Sequence, residues 1–361
     1  MSIQTTNSQL PKVTICVPVR NGARTIQRTL DSLLSQDYSN YEIIVSDNCS
    51  DDDTANIVSQ YASSGVKYFF NPTMGKGAES NWNHILTLAE GPLIALYHAD
   101  DIYTRTMVRR QVEFLLKYPD VSAVFTMTQT IDENDRPIKM GSIKLPQALR
   151  SKEIFHYEEF LNYTLKYNTF VMVPTMMTKR EIIDCVGVFN WERYATASDI
   201  DLYLRMATHG PIGVIDEQLH KYRISDQQGS AVIFHERTFL AHFCNVLDDY
   251  ISKPENKELI QKHSLAIYKM RRATDQIRCA MNMLVQDRVV EAKTNLIHAL
   301  KYAHIIEALK MLTLKRPQEV ALFGIGSILL ASSYLGVGTF SGKQIYKLFQ
   351  RYSKSQRDPI T

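Results

Sequence analysis

Leu93-Ile94-Ala95-Leu96-Tyr97-His98-Ala99-Asp100-Asp101 is the stretch on which the reading of the fold turns. An apolar run of this kind suits a central strand buried on both faces. It ends abruptly in two adjacent carboxylates. Open α/β sheets bind their ligands just outside the carboxyl ends of the strands. A buried strand that carries Asp100 and Asp101 to that edge can hold a divalent cation, because hard cations take oxygen ligands. An isolated Asp-Asp pair is more often only an acidic turn, so the flanking sequence has to decide.

Upstream, strand-like and helix-like segments alternate. Val13–Val19 is β-rich, with Pro18 ending its ladder and Arg20-Asn21-Gly22 turning the chain. Ile26, Leu30, Leu33 and Leu34 recur at helical spacing and predict a helix over 25–35. Tyr41–Ser46 reads as the second strand and Asp47–Asp52 as the polar loop after it. Asp53 or Thr54 caps a helix through Ile57, Val58 and Tyr61. Val66–Phe70 reads as a third strand, and a helix over Asn81–Ala89 leads through Gly91-Pro92 into the central one. This alternation predicts βαβ units and a mostly parallel sheet. The loops at Arg20-Asn21, Asp47-Asn48 and Asp100-Asp101 then share one edge. A carboxylate after the second strand suits the donors of a base or ribose, although a solvated loop Asp fits there equally well. No GxGxxG follows the first strand and no GxxxxGK[ST] occurs, so neither a dinucleotide fingerprint nor a P-loop is present.

Downstream, Met107–Tyr118 is an amphipathic helix that stops before Pro119, and Val121–Thr128 reads as a strand. The segment 131–168 is less regular and rich in aromatics (Phe155, Tyr157, Phe160, Tyr163, Tyr167). Such residues are more often core than a sugar-stacking platform. Phe170–Met177 reads as another strand and Arg180–Val186 as a short helix. Asp199 stands at the start of a further helix, where the dipole favours a carboxylate whatever its role.

Composition narrows the class. The chain is 45% hydrophobic and 22% charged, as expected of a folded protein long enough for two structural units. Met1–Gln9 is polar, without the apolar core of a secretory signal, and residues 1–10 are expected to be disordered. Five scattered cysteines without CxxC spacing suggest a reducing compartment and no zinc site. Charge is uneven. Residues 231–361 carry 19 Lys and Arg against 11 Asp and Glu, a net +8, while the first 230 carry 22 against 27, a net −5. An acidic front half suits a metal-binding enzyme, and a basic tail suits an anionic partner.

VTICVPVRNGARTIQRTLDSLLSQDYSNYEIIVSDNCSDDDT resembles the opening of glycosyltransferase family 2, enzymes of the GT-A fold that use nucleotide sugars. GKGAESNWNHILTLAEGPLIALYHADD, VGVFN and ASDIDLYLRMATHG follow in the family's order, and the likeness covers about residues 11–225. It implies a GT-A type α/β fold over 11–230, Rossmann-like and flanked by helices. The nucleotide-binding half would occupy about 11–128 and the acceptor half about 129–230. Pro18, Val19, Arg20 and Asn21 match the loop that meets the base and ribose, Asp47 and the adjoining Asn48 the acid that pairs with the base, and Asn83 an Asn in the preceding helix. His98, Ala99 and Asp100 stand at the Asp-X-Asp motif beside the diphosphate, with Asp100 and Asp101 as ligands of Mn2+ or Mg2+. His98 replaces the motif's first Asp. Asp199 matches the general base, with Ser198 in place of the acid that often precedes it. His220 and Arg223 resemble part of the closing segment, where a metal or phosphate role competes with that of an ordinary surface His. The QxxRW motif of processive synthases is absent.

Beyond residue 230 the pattern is wholly helical, with Ile277, Met281 and Leu284, then Val289, Ala292, Leu296 and Leu300, on helical faces and a turn at Gln286-Asp287. Val320–Gly338 carries no charge and has nearly the ~20 residues of a membrane span. It reads as a spanning helix, an interfacial or hairpin anchor, or a buried helix. The whole implies an inverting glycosyltransferase that moves a sugar from a nucleotide-diphosphate sugar to a hydroxyl acceptor, lipid-linked or a surface-glycan precursor. The enzyme would sit at the cytoplasmic face of a membrane, peripheral or anchored, through its basic tail. An inactive nucleotide-sugar-binding scaffold is the alternative. Nucleic-acid binding lacks the interleaved basic and aromatic residues it would need.

Overall fold

The computed structural model describes residues 10–72, 78–138, 144–224, 237–300 and 317–355. The expected disordered N-terminus (Leu10 apart), Gly75-Lys76-Gly77, Gln227–Ser230 and Lys315-Arg316 lie outside the described residues. Two compact units divide the chain: Met1–Pro137 with Gly141–Phe160 and Thr169–Ile224, and Ser225–Thr361 with Ile138–Met140 and Leu161–Asn168.

In the first unit the strands Val13–Val19 (β1), Tyr41–Asp47 (β2), Val66–Phe70 (β3) and Leu93–Leu96 (β4) alternate with the helices Ile26–Leu34 (α1), Thr54–Ser59 (α2) and Ala78–Leu88 (α3). These strands pair in parallel in the order β3-β2-β1-β4. Every residue of β1 is buried, as a strand covered on both faces requires. Strand order reverses between β1 and β4, the switch point at which open sheets leave a crevice. β4 pairs with β1 only from Val13 to Cys16, while β1 runs on to Val19. Pro18 therefore sits past the end of β4, where its missing N–H breaks no ladder bond on that side.

The rest of the unit comprises Ile102–Tyr103 (β5), Met107–Lys117 (α4), Ala123–Ile131 (β6), Ile154–Phe155 (β7), the start of Tyr157–Tyr167 (α5), Met176–Lys179 (β8), Arg180–Val186 (α6), Trp191–Tyr194 (α7), Ser198–Ala207 (α8) and Ile212–Arg223 (β9). They extend the sheet to β3-β2-β1-β4-β8-β6-β9-β5, with β7 on β9. β6 and β9 are parallel, whereas β4–β8, β6–β8, β5–β9 and β7–β9 are antiparallel. The sheet is thus parallel through its first four strands and mixed beyond them.

Several expectations need correction. The central strand keeps its ladder only to Leu96. Phe170–Met177 is not one strand: Pro174 sits in a 3-10 turn at Val173–Thr175, and β8 begins after it. The segment 131–168 contains a helix, α5, and Phe155 and Phe160 are core side chains. β9 was hidden by the polar trio Asp216-Glu217-Gln218. These residues are exposed at the place where the β6–β9 register shifts.

The second unit includes His242–Ser252 (α9), Lys262–Val285 (α10), Val289–Ala299 (α11), Pro317–Tyr334 (α12) and Gly338–Ser355 (α13). Ile277, Met281, Leu284, Ala292, Leu296 and Leu329 form its core, and Asp287 takes a left-handed turn, φ 61°, between α10 and α11. Among the described residues no helix is long and apolar enough to cross a membrane, so the spanning reading of Val320–Gly338 is set aside. Gly326 is a packing notch: a Cβ there would stand 2.9 Å from Ile277 Cδ1.

One buried polar side chain ties the first strands together at the crevice edge. Asn81 Oδ1 accepts from Ser46 Oγ at 2.6 Å and Asn71 Nδ2 at 3.0 Å. Its Nδ2 donates to the Ser46 carbonyl at 2.7 Å and the Val19 carbonyl at 3.3 Å. Asn81→Ala strands these groups away from water, and is expected to destabilise the protein by about 2–3 kcal/mol. Urea unfolding measures it; a loss below about 0.5 kcal/mol would show that the hub is not needed.

Candidate active site

β4 stops at Leu96 because the residues that follow satisfy their backbone elsewhere. The Thr29 hydroxyl, on α1, lies 2.9 and 2.8 Å from the carbonyl oxygens of Ala99 and Asp101 as a shared donor. The His98 N–H donates to Tyr103 Oη at 2.6 Å, and Tyr103 stacks on Tyr97 with ring centroids 4.3 Å apart. The loop at 97–101 is thus a rigid turn at the carboxyl edge of the sheet.

Asp101 is fully buried. Its Oδ1 accepts the Arg223 N–H at 2.9 Å, and its Oδ2 lies 2.9 Å from His220 Nε2. The other ring nitrogen of His220 is 3.0 Å from Thr128 Oγ1. Burial drives the His220 imidazole down to about 3, so the ring is neutral. Burial, helped by the charge of Asp100, pushes the Asp101 carboxyl well above its ordinary range. Arg223 Nε donates to the Asp100 carbonyl at 2.9 Å, Nη1 donates to the Asp132 carbonyl at 3.0 Å, and Nη1 pairs with Asp135 at 2.5 Å. His220 is therefore not a surface side chain, and it and Arg223 fasten the motif loop to the end of β9.

The ligating atoms of His98, Asp100 and Asp101 all lie within 4.8 Å of one another. Asp100 and His98 are half-buried, and the His98 Nε2 atom is buried with no hydrogen-bond partner. Burial lowers the His98 imidazole, which keeps it neutral. The ring stacks on Trp82 at 5.2 Å, and Phe189 meets Trp82 edge-on at 5.1 Å. Carboxylate oxygens beside an unpartnered neutral imidazole are a donor set that fits a divalent cation.

The expected nucleotide contacts divide into exposed and inward-turned groups. Arg20 is exposed, and Asn21 takes a left-handed turn (φ 52°), its Oδ1 accepting the Asp51 N–H at 3.0 Å. Pro18 and Val19 are buried at the end of β1. Asp47 is 1% exposed, its Oδ1 accepting from Ser50 N and Oγ at 2.9 and 2.6 Å and its Oδ2 from Tyr68 Oη at 2.9 Å. Next to it, Asn48 Oδ1 is buried and has no partner. Asn83 spends both ends of its amide on the backbone of Phe189, each at 2.9 Å.

Asp199 lies in the first turn of α8, half-buried, with one oxygen accepting the Ile200 N–H at 2.8 Å. Burial outweighs that bond and raises its carboxyl to about 6. Further along α8, Arg205 pairs with Asp201 at 2.9 Å and donates to the carbonyls of Val186 and Val188, the latter at 2.8 Å. This links α8 to Phe189, thence to Trp82 and His98. A cleft of about 590 Å³ lies along the link, lined by Asn83, Phe189, Trp191 and Arg205 among others. Trp82, Phe189 and Thr29 were missed by sequence reasoning; the lone Trp of Asn81-Trp82-Asn83 was the available signal.

The model of glycosyl transferase family 2 matches residues 14–187. EpsE of Bacillus subtilis (strain 168), provisionally named a glycosyltransferase, is 30% identical over 217 residues, which are 59% of this chain and 73% of EpsE. WfgD of Escherichia coli is 27% identical over 244 residues, 67% of this chain and 87% of WfgD. Its name describes a beta-1,3-glucosyltransferase from UDP-Glc to alpha-D-GlcNAc-diphosphoundecaprenol. Among solved structures, mannosyltransferase PcManGT from Pyrobaculum calidifontis, in complex with GDP-Man and Mn2+, superposes with a TM-score of 0.55 at 18% identity. The match covers 92% of this chain and 88% of that one. Such an identity shows the shared fold alone.

The raised carboxyl of Asp199 has a signed consequence. Its folded value, about 6, lies above the 3.8 of a free carboxyl. The folded state therefore holds the proton more tightly, and stability from this group falls as pH rises from about 4 to 6. Asp199→Asn carries no such penalty. It is expected to melt higher than the native protein at pH 7.5, with the advantage gone at pH 4. Equal melting curves at pH 7.5 would show that burial does not disfavour the charge.

Proposed function

The chain belongs to glycosyltransferase family 2, and from that membership we propose an inverting transfer of a sugar from a nucleotide-diphosphate donor to an acceptor hydroxyl. That it is a glycosyltransferase of the GT-A fold is shown by its relatives and structural neighbours. The finer reading rests chiefly on one observation: the His98, Asp100 and Asp101 cluster at the sheet's switch point.

In this reading the acceptor oxygen attacks the anomeric carbon, the bond to the diphosphate breaks, and its electron pair leaves with the phosphate oxygen. Asp199 takes the proton of the attacking hydroxyl. A carboxyl raised to about 6 is a better proton acceptor than an ordinary Asp and is still ionised at neutral pH. Arg20, Asn21, Asp47 and the unpartnered Oδ1 of Asn48 orient base and ribose, so much of the rate comes from positioning. Asp100, with Asp101 behind it, would hold Mn2+ or Mg2+, which when bound neutralises the diphosphate. Asn83 acts through Phe189 by shaping the cleft.

The acceptor is proposed to be lipid-linked, as the name of WfgD states for that enzyme, and the second unit to rest on the cytoplasmic face of an anionic membrane. The turn between α12 and α13 exposes Tyr334, Leu335, Val337 and Phe340, with Leu335 78% and Phe340 66% exposed. Lys343, Lys347, Arg351 and Lys354 follow in α13 with no acid among them. An apolar tip followed by basic residues suits the interface of an anionic leaflet.

Asp199→Asn should lose about 10²- to 10⁴-fold in turnover while donor affinity holds, and the native rate should fall as pH drops through about 6. Loss of donor binding in step with the rate would assign Asp199 a structural role.

Replacing Leu335 and Phe340 together by Asp should release the full chain from phosphatidylglycerol vesicles in a flotation assay, with donor binding kept. Undiminished flotation would remove the tip from the membrane contact.

A further inference from the structure

Two histidines sit beside Asp101, and they are treated differently by the fold. His220 has both ring nitrogens engaged, one with Thr128 and one with Asp101. His98 has a buried Nε2 with no hydrogen-bond partner, and its ring offers a nitrogen within 4.8 Å of carboxylate oxygens of Asp100 and Asp101. Buried polar atoms are nearly always paired, and an exception asks for a ligand. The ring is also held in place, stacked on Trp82 at 5.2 Å with 29° between planes, while the His98 N–H is fixed by Tyr103. A side chain clamped in this way, with an unpartnered ring nitrogen and two carboxylates beside the ring, is preorganised for coordination.

We propose that His98 Nε2 is a direct nitrogen ligand of the divalent cation, and that this makes the site prefer Mn2+ and Co2+ over Mg2+. The inference rests on the metal-assisted reading above and deepens it. An all-oxygen set suits Mg2+, whereas imidazole favours the later first-row ions, in the order Mn2+ below Co2+. The departure at His98 is then not a lost acidic contact but a change of metal.

The test uses the full chain and the metals alone. Electron spin-echo modulation of bound Mn2+ should show nitrogen coupling, which should change on 15N-histidine labelling and vanish in His98→Gln. In the same variant the Kd for Co2+ should rise by about tenfold or more, while that for Mg2+ should change far less. Mn2+ bound without nitrogen coupling, or coupling that survives His98→Gln, overturns the nitrogen ligand. If Asp100→Asn still abolishes that Mn2+ binding, the metal-assisted reading stands without it. A native chain that binds no Mn2+ defeats both. Should His98→Gln fail to fold, the labelled native protein decides the matter alone.

Discussion

The motif loop depends on a single buried arrangement, the Asp101 carboxylate held between His220 and the backbone of Arg223. A carboxylate taken fully out of water costs several kcal/mol unless its oxygens are bonded. Here β9 provides both partners, and the Arg223 side chain then reaches on to the Asp100 carbonyl and to Asp135. The end of β4 is thereby fixed to a strand more than a hundred residues later in the chain. Thr29 fixes the same loop from α1. Of the two adjacent acids, Asp101 is committed to this scaffold, and Asp100, half-buried, is the better placed for chemistry.

The same separation of duties recurs around the crevice. Asp47 is engaged by Ser50 and Tyr68, Asn83 by Phe189, and Arg205 by Asp201 and the carbonyls of the Val186–Val188 loop. Each holds a loop in one conformation. Among the described residues, the buried polar atoms without a hydrogen-bond partner include Asn48 Oδ1 on the side of β2 and His98 Nε2 on the side of β4. Preorganisation of this kind lowers the entropy cost of holding a substrate in reactive geometry.

Legibility in the sequence followed burial. β1, β2 and β4 are covered on both faces or nearly so, and their apolar runs fall where the sheet has them. β3, mostly exposed at the sheet's edge, was legible from its β-rich residues instead. Asp100 at the sheet edge and Asp199 in the first turn of α8 also stand where spacing put them. β9 was illegible because a register shift lets three consecutive polar residues occupy a strand. Met and Val around Pro174 looked like a strand, because periodicity does not register where a proline forces a 3-10 turn. The inward bonding of Asp47, Asn83 and His220 could not be read at all. It depends on partners distant in sequence, and a side chain that binds a ligand has the same spacing as one that braces a loop.

Asp199 shows how magnitudes settle a case where two effects oppose. Its place in the first turn of α8 favours the charged form, and such a dipole contributes about 0.3–1 kcal/mol, less than one pK unit. The Ile200 N–H acts in the same direction. If these governed, the carboxyl would titrate below 3.8. It is instead raised to about 6, so burial is the larger effect. A residue chosen only to cap a helix gains nothing from a position that penalises its charge. An acid that must accept a proton near neutral pH gains basicity from that same penalty.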